Sequence, residues 1–152
     1  MKKIYTLSIV IAMFIFYGCS SNNFNASDLE QSTIIVNYNN VNATTKESVI
    51  QSVKDDIGIV LENKTEYQYS YGEAFVLEVK LDNNWYKVPF DKNPQFLEIA
   101  INLKAHSKNE EVVELDKYFN NLPDGRYRIV KSLYHNGEEI VVMAPFEIKN
   151  SR

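Results

Sequence analysis

Cysteine is almost missing from this chain of 152 residues: Cys19 is the only one. A single thiol excludes an internal disulfide framework, a thiolate metal cage and a dithiol redox pair. Histidine is nearly as scarce. His106 and His135 are about thirty residues apart, and nothing in the pattern brings them to one metal or one proton relay. There is no Gly-rich phosphate loop, no Gly-Xaa-Ser-Xaa-Gly elbow and no His-Glu-Xaa-Xaa-His. The adjacent acids Asp55-Asp56, Glu110-Glu111 and Glu138-Glu139 point to opposite faces of any strand, so they read as solvated turn residues rather than acid–base dyads. These residues predict a non-enzyme with no cofactor and no metal.

A long hydrophobic run is missing too. The longest apolar stretch, residues 4–17, has fourteen residues, against roughly 20 for a spanning helix and about 7–15 for the core of a secretory signal. It follows Lys2 and Lys3 and ends at Gly18-Cys19-Ser20-Ser21. Residues 1–18 are therefore expected to be a signal peptide. The Gly-Cys junction resembles a bacterial lipoprotein signal, although Phe16 and Tyr17 stand where Leu and a small residue are usual. That resemblance implies cleavage before Cys19, acylation of its thiol (palmitate being the usual class of chain) and a place on the extracytoplasmic face of the cell membrane. Residues 19–31, rich in Ser and Asn, read as the lipidated cysteine and a flexible tether. Twelve such residues reach roughly 20 Å, at about 5–6 Å × √n. Glycosylation-type matches at Asn25, Asn42 and Asn63 read as chance in a bacterial lipoprotein.

Positive charge is in short supply once residues 1–18 are set aside, with 14 basic against 20 acidic residues and a net charge of −6. Such a surface is repelled by nucleic acid and by anionic headgroups. Nucleic acid is excluded as a partner, and the acyl chain is the expected membrane contact. The 134 remaining residues suit one domain with a real core, placed at residues 32–150.

What is abundant is period two. Ile34, Val36 and Tyr38 alternate with Ile35 and Asn37, and Ile57, Ile59 and Leu61 with Gly58, Val60 and Glu62. Phe75, Leu77, Val79 and Leu81 oppose Val76, Glu78 and Lys80, which predicts one buried and one wet face. Leu97, Ile99, Ile101 and Leu103 repeat the pattern, as do Ile140, Val142, Ala144, Phe146 and Ile148. Asp82-Asn83-Asn84 and Asn136-Gly137 are turn signals, the second a hairpin. Residues 48–54 fit a short helix start or a strand equally, and residues 111–121 read as a long connection with room for one helical turn. Pro145 lies inside the last strand pattern, which predicts a sheet edge or a bulge there. Six or seven short strands with frequent turns indicate an all-β antiparallel sandwich.

Asp124-Gly125-Arg126-Tyr127 follows Leu122-Pro123 and opens a strand. In immunoglobulin-like sandwiches a Tyr at this place bonds its hydroxyl back to upstream backbone and fixes the corner. Asp124, Gly125 and Tyr127 are the expected structural corner, with Gly125 allowing an entry that a side chain would block. Ile129 stands where an antibody domain has a cysteine, and Ile59 is the expected partner across the core. Three stretches resemble the bacterial immunoglobulin-like domain of small lipoproteins, chiefly of low-GC Gram-positive bacteria. They are Tyr69-Ser70-Tyr71-Gly72-Glu73, Trp85-Tyr86-Lys87-Val88-Pro89 and residues 122–131. The resemblance spans residues 57–149 and implies a β-sandwich of about seven strands with no catalytic residues.

Binding is then the expected use. Tyr67, Tyr69 and Tyr71 share a face if extended, and Trp85, Tyr86 and Phe90 lie just past a turn. These rings either form an exposed patch for a protein partner, such as an envelope protein, or for a glycan, or they pack the ends of the sandwich. Tyr86 and Phe90 are the expected partner contacts. The other reading is a protease-inhibitor-like or small-ligand-binding sandwich outside the cytoplasmic membrane, with residues 88–96, including Pro89 and Pro94, as the candidate loop for a protease cleft.

Overall fold

Asn136 and Gly137 both sit at positive φ, 50° and 84°, the conformation that a two-residue hairpin turn requires. They join β9 (Gly125–His135) to β10 (Glu138–Ile148), paired antiparallel from Glu138↔His135 to Ile148↔Gly125. The computed structural model describes residues 23–36 and 40–151, and this hairpin is the centre of its larger sheet. The other strands are β1 (Val41–Thr45), β2 (Val49–Ile50), β3 (Asp56–Asn63), β4 (Tyr69–Tyr71), β5 (Val76–Leu81), β6 (Asn84–Lys87), β7 (Ile101–Leu103) and β8 (Ser107–Glu114).

The small sheet has the order β1-β3-β8 and the large one β2-β10-β9-β4-β7, with β5 between β9 and β6. Both β4 and β5 pair with β9, Tyr71 with Leu133 and Val76 with Val130. They are one strand interrupted by residues 72–75. Pairing is antiparallel except where β2 runs parallel to β10 at Glu147 and Ile148. The result is the all-β sandwich that the alternation predicts.

Its core lies between the sheets. Ile57, Ile59 and Leu61 of β3 face Leu77, Val79, Tyr127, Ile129 and Leu133 of the large sheet, while Leu115, Phe119 and Leu122 also join the core. Ile129 and Ile59 are both buried in this cluster, from opposite sheets. Pro145 sits in β10 with the parity of Glu147, whose N–H points away from β9 toward the Ser48 carbonyl. Its missing donor therefore falls on the edge side of the strand, where none is needed.

Several expectations fail locally. Residues 34–36 form no strand: Ile34 is half-buried and Ile35 exposed, while Tyr38 lies outside the described residues. Residues 97–100 form no strand either, with Leu97 63 % exposed. β4 offers only three residues to pair with, so β7 is limited to Ile101–Leu103. In residues 48–54, Val49 and Ile50 form a strand and a turn follows. Residues 111–114, read as the start of a long connection, belong to an eight-residue edge strand, Ser107–Glu114; the one helical turn allowed in that connection is the 3-10 turn Leu115–Lys117. Charged residues dominate β8 because an edge must not invite another chain to pair. That same composition hid it from a search for apolar alternation.

Candidate functional site

The corner sets where β9 begins. Tyr127 is fully buried and its hydroxyl donates to the Pro123 carbonyl at 2.7 Å. Burial, with the Asp124 carboxylate as the smaller cause, pushes its phenol well above the usual range. Asp124 accepts from the backbone N–H and the side-chain amide of Asn150, both at 2.8 Å, which fastens the end of the described chain to the corner. The role given to Gly125 narrows. An added Cβ would lie 3.4 Å from Tyr127 Cε2 and 3.8 Å from Val79 Cγ2, which is ordinary contact, so a methyl fits.

The aromatic residues divide. Tyr69 and Tyr71 are core, while Tyr67 is exposed and lies against His135, ring centroids 4.9 Å apart. Phe90 is half-buried among Phe75, Phe96, Tyr118 and Phe119, with centroids 5.2 to 5.9 Å apart in this cluster. The segment 88–96 thus turns its two Phe rings inward instead of presenting them. Tyr86 is also half-buried and bridges Gln31. On either side of that bridge Ser32 N donates to Trp85 O at 2.8 Å and Lys87 N to Glu30 O at 2.9 Å. Residues read as a flexible tether are therefore docked along β6, with Phe24 and Leu29 packed on the core. Cys19 lies outside the described residues.

Two polar arrangements remain, and alternation foresaw neither. On the outer face of the large sheet, register aligns side chains in rows. One row is Lys87, Glu78, Arg128 and Pro145; next to it Trp85 pairs with Lys80, and Arg126 with Glu147. Glu78 was read as facing water, but it has no exposed surface. Arg128 Nε donates to its Oε2 at 2.5 Å, and the Arg128 guanidinium lies 4.4 Å from the centroid of the Trp85 ring. Beyond Trp85 opens a cleft of about 420 Å³, lined by Lys80, Trp85, Arg126, Ser48, Tyr127 and Glu147 among others. Arg126 and Lys149 share Glu147, at 3.1 and 3.0 Å. The hydrogen bonds from Lys149 and then Arg126 hold that carboxyl below its usual range.

The second arrangement lies between the sheets. Lys131, on the inner face of β9, donates to Glu111 Oε2 of β8 at 2.9 Å, with Oε1 2.7 Å away. Asn109 Nδ2 donates to Tyr71 Oη at 3.2 Å. Burial raises the Tyr71 phenol pKa, and the Glu111 charge adds to the shift. This pair ties one sheet to the other across the core margin.

The two histidines meet different partners. His106 pairs with Glu66 at 2.8 Å, and His135 Nδ1 lies 2.8 Å from Gln68 O. No group of three or more His, Cys, Asp or Glu is placed to hold a metal among the described residues. Asn63, one of the glycosylation-type matches, is buried. Its amide donates to the carbonyls of Tyr67 at 2.6 Å and Lys104 at 2.9 Å, and its oxygen accepts from Thr65 N at 2.9 Å.

Two facing sheets, a hairpin of β9 and β10 and a tyrosine corner at the start of β9 define an immunoglobulin-like sandwich. The bacterial Ig-like domain family matches residues 37–147, and the chain belongs to that family. The match takes in β1 and β2, which precede the stretches that carry the resemblance in the sequence. No curated protein and no solved structure matches the chain.

Proposed function

We propose that the protein is a non-catalytic, lipid-anchored module that presents its Ig-like domain to an envelope partner outside the cytoplasmic membrane. The family fold over residues 37–147 and the Gly18-Cys19 junction after a fourteen-residue apolar stretch support this reading. The observation that carries it furthest is the docking of the chain from Phe24 to Ser32 on the core and β6. From Cys19 to Asn23 the chain spans four residue steps, at most about 14 Å fully extended at ~3.6 Å per residue. A chain anchored at Cys19 holds the sandwich directly against the bilayer surface, closer than a free twelve-residue tether.

The test is metabolic labelling with a fatty-acid analogue, comparing wild type with Cys19→Ser. Wild type takes up label and needs detergent for release, whereas Cys19→Ser does neither. Equal labelling, or release of wild type by salt alone, removes the anchor from the proposal.

A further inference from the structure

The cleft beside Trp85 holds charge that the fold does not use. Lys80 and Trp85 are partners in the β5–β6 register, and Arg126 and Glu147 in that of β9 and β10. Continuing the β5–β9 register one step past Val79↔Tyr127 sets Lys80 opposite Arg126. Like charges side by side on neighbouring strands oppose sheet formation. One row away, the charges are matched: Arg128 with Glu78, Lys87 with Glu30. In the cleft row a single carboxylate, Glu147, serves both Arg126 and Lys149, and the Lys80 ammonium makes no ion pair among the described residues. Its Nζ lies 6.0 Å from the centroid of the Trp85 ring. A net-acidic domain thus concentrates surplus positive charge beside its one tryptophan, around a cavity of about 420 Å³. That volume lies within the usual range for small-ligand pockets.

We propose that this cleft binds an anionic carbohydrate, a sugar or polyol chain carrying phosphate or carboxylate. Lys80 and Arg126 take the anion, and the part of the Trp85 ring that lines the cleft packs against the C–H face of the ring or polyol. Arg128, held by Glu78 and covering Trp85 at 4.4 Å, keeps the indole in place. An acidic peptide fits less well. A peptide in such a cleft gains affinity from main-chain hydrogen bonds to a free strand edge, but β5, β6, β9 and β10 are already paired with one another here, and β2 covers β10 at Glu147. The cleft offers side chains, not backbone. This inference goes beyond the anchoring proposal and does not need it, since binding is read on the isolated protein.

Trp85 is the only tryptophan, so its fluorescence reports the cleft alone. The full chain in nonionic detergent is titrated with poly(glycerol phosphate) and, separately, with polygalacturonate. Neutral dextran and poly-glutamate serve as comparisons. At least one of the two anionic carbohydrates changes Trp85 emission saturably, and added salt weakens the effect. The double variant Lys80→Gln/Arg126→Gln binds about tenfold or more weakly, because two charge-assisted contacts are lost, while its far-ultraviolet circular dichroism matches wild type. Both residues are on the outer face at the sheet end, and Arg126 is largely exposed, so the variant is not a core change. No response to either carbohydrate overturns the proposal, as does undiminished binding by the double variant. An equal response to poly-glutamate shows a site that reads charge alone and also overturns it.

Discussion

Arg128 Nε lies 2.5 Å from Glu78 Oε2 on the outer face of the large sheet, where Glu78 is 0 % and Arg128 6 % exposed. Burying two charges costs several kcal/mol per ion before their attraction is counted. Trp85 lies over the guanidinium at 4.4 Å, and Arg128 Nη1 donates to Met143 Sδ at 3.4 Å. Glu78 Oε1 receives no hydrogen bond from the described residues. The pair therefore adds little net stability as a pair, yet each member is costly to lose alone.

Removing one member exposes that asymmetry. Arg128→Met leaves a buried carboxylate without its cation and is expected to cost about 3–5 kcal/mol. Glu78→Gln with Arg128→Met together should cost clearly less than the sum of the two single changes. Urea unfolding of all four proteins gives the coupling. Additive losses would mean that the two groups are solvated independently in solution.

Tyr127→Phe keeps the buried ring and deletes the hydroxyl that reaches Pro123 O. The loss should be about 0.5–1.5 kcal/mol, the usual net worth of one hydrogen bond. A midpoint indistinguishable from wild type would assign that hydroxyl to solvent. The same residue governs alkaline stability. Its phenol is raised by burial and by Asp124, so between an unfolded pKa near 10 and the higher folded one the native state holds the extra proton. Stability from this group is complete below about pH 10 and falls as pH rises further. Tyr127→Phe should lose less stability between about pH 10 and 11 than wild type does. A slope as steep as that of wild type would place the alkaline sensitivity on other tyrosines, such as Tyr71 or Tyr118, which are also raised.

Asn63 joins the end of β3 to Thr65, Tyr67 and Lys104 through one side chain. Asn63→Leu removes hydrogen bonds from several part-buried polar groups at once and should cost about 2 kcal/mol, given roughly 1–3 kcal/mol for an unsatisfied group. Thermal unfolding measures it. A loss below half that size would show that water replaces the amide at little cost.

Ser32→Pro removes the N–H that meets Trp85 O at 2.8 Å. The sandwich should keep its unfolding midpoint within about 1 kcal/mol, the scale of one hydrogen bond. Limited proteolysis should then cut residues 23–36 faster than in wild type. Unchanged cleavage would mean that Phe24 and Leu29, not the β6 contacts, hold the segment in place.

Strands with a strong buried face were legible without a structure. β3, β5 and β10 carry Ile, Leu, Val and Phe at period two, and Asn136-Gly137 names its own hairpin because few residues accept positive φ. The corner was legible too, since a Tyr two residues after Pro-Asp-Gly at the start of a strand matches the tyrosine corner of immunoglobulin-like sandwiches. β8 was not, because an edge strand is selected for charge rather than for alternation. The alternation at residues 97–100 misled, because period two marks a strand only where a partner strand is within reach, and β4 is too short to supply one. Local pattern and turn chemistry are properties of neighbours in the chain, and there the sequence suffices. Which charges meet is different. Glu78 and Arg128 are fifty positions apart, and Arg126 and Glu147 are 41 and 62 positions from Trp85. Only the register of β5 against β9 put them on one face, and only the closing of the sheet took them out of water. Long-range pairing decided both, because the energy of a charge depends on what surrounds it and not on its place in the chain.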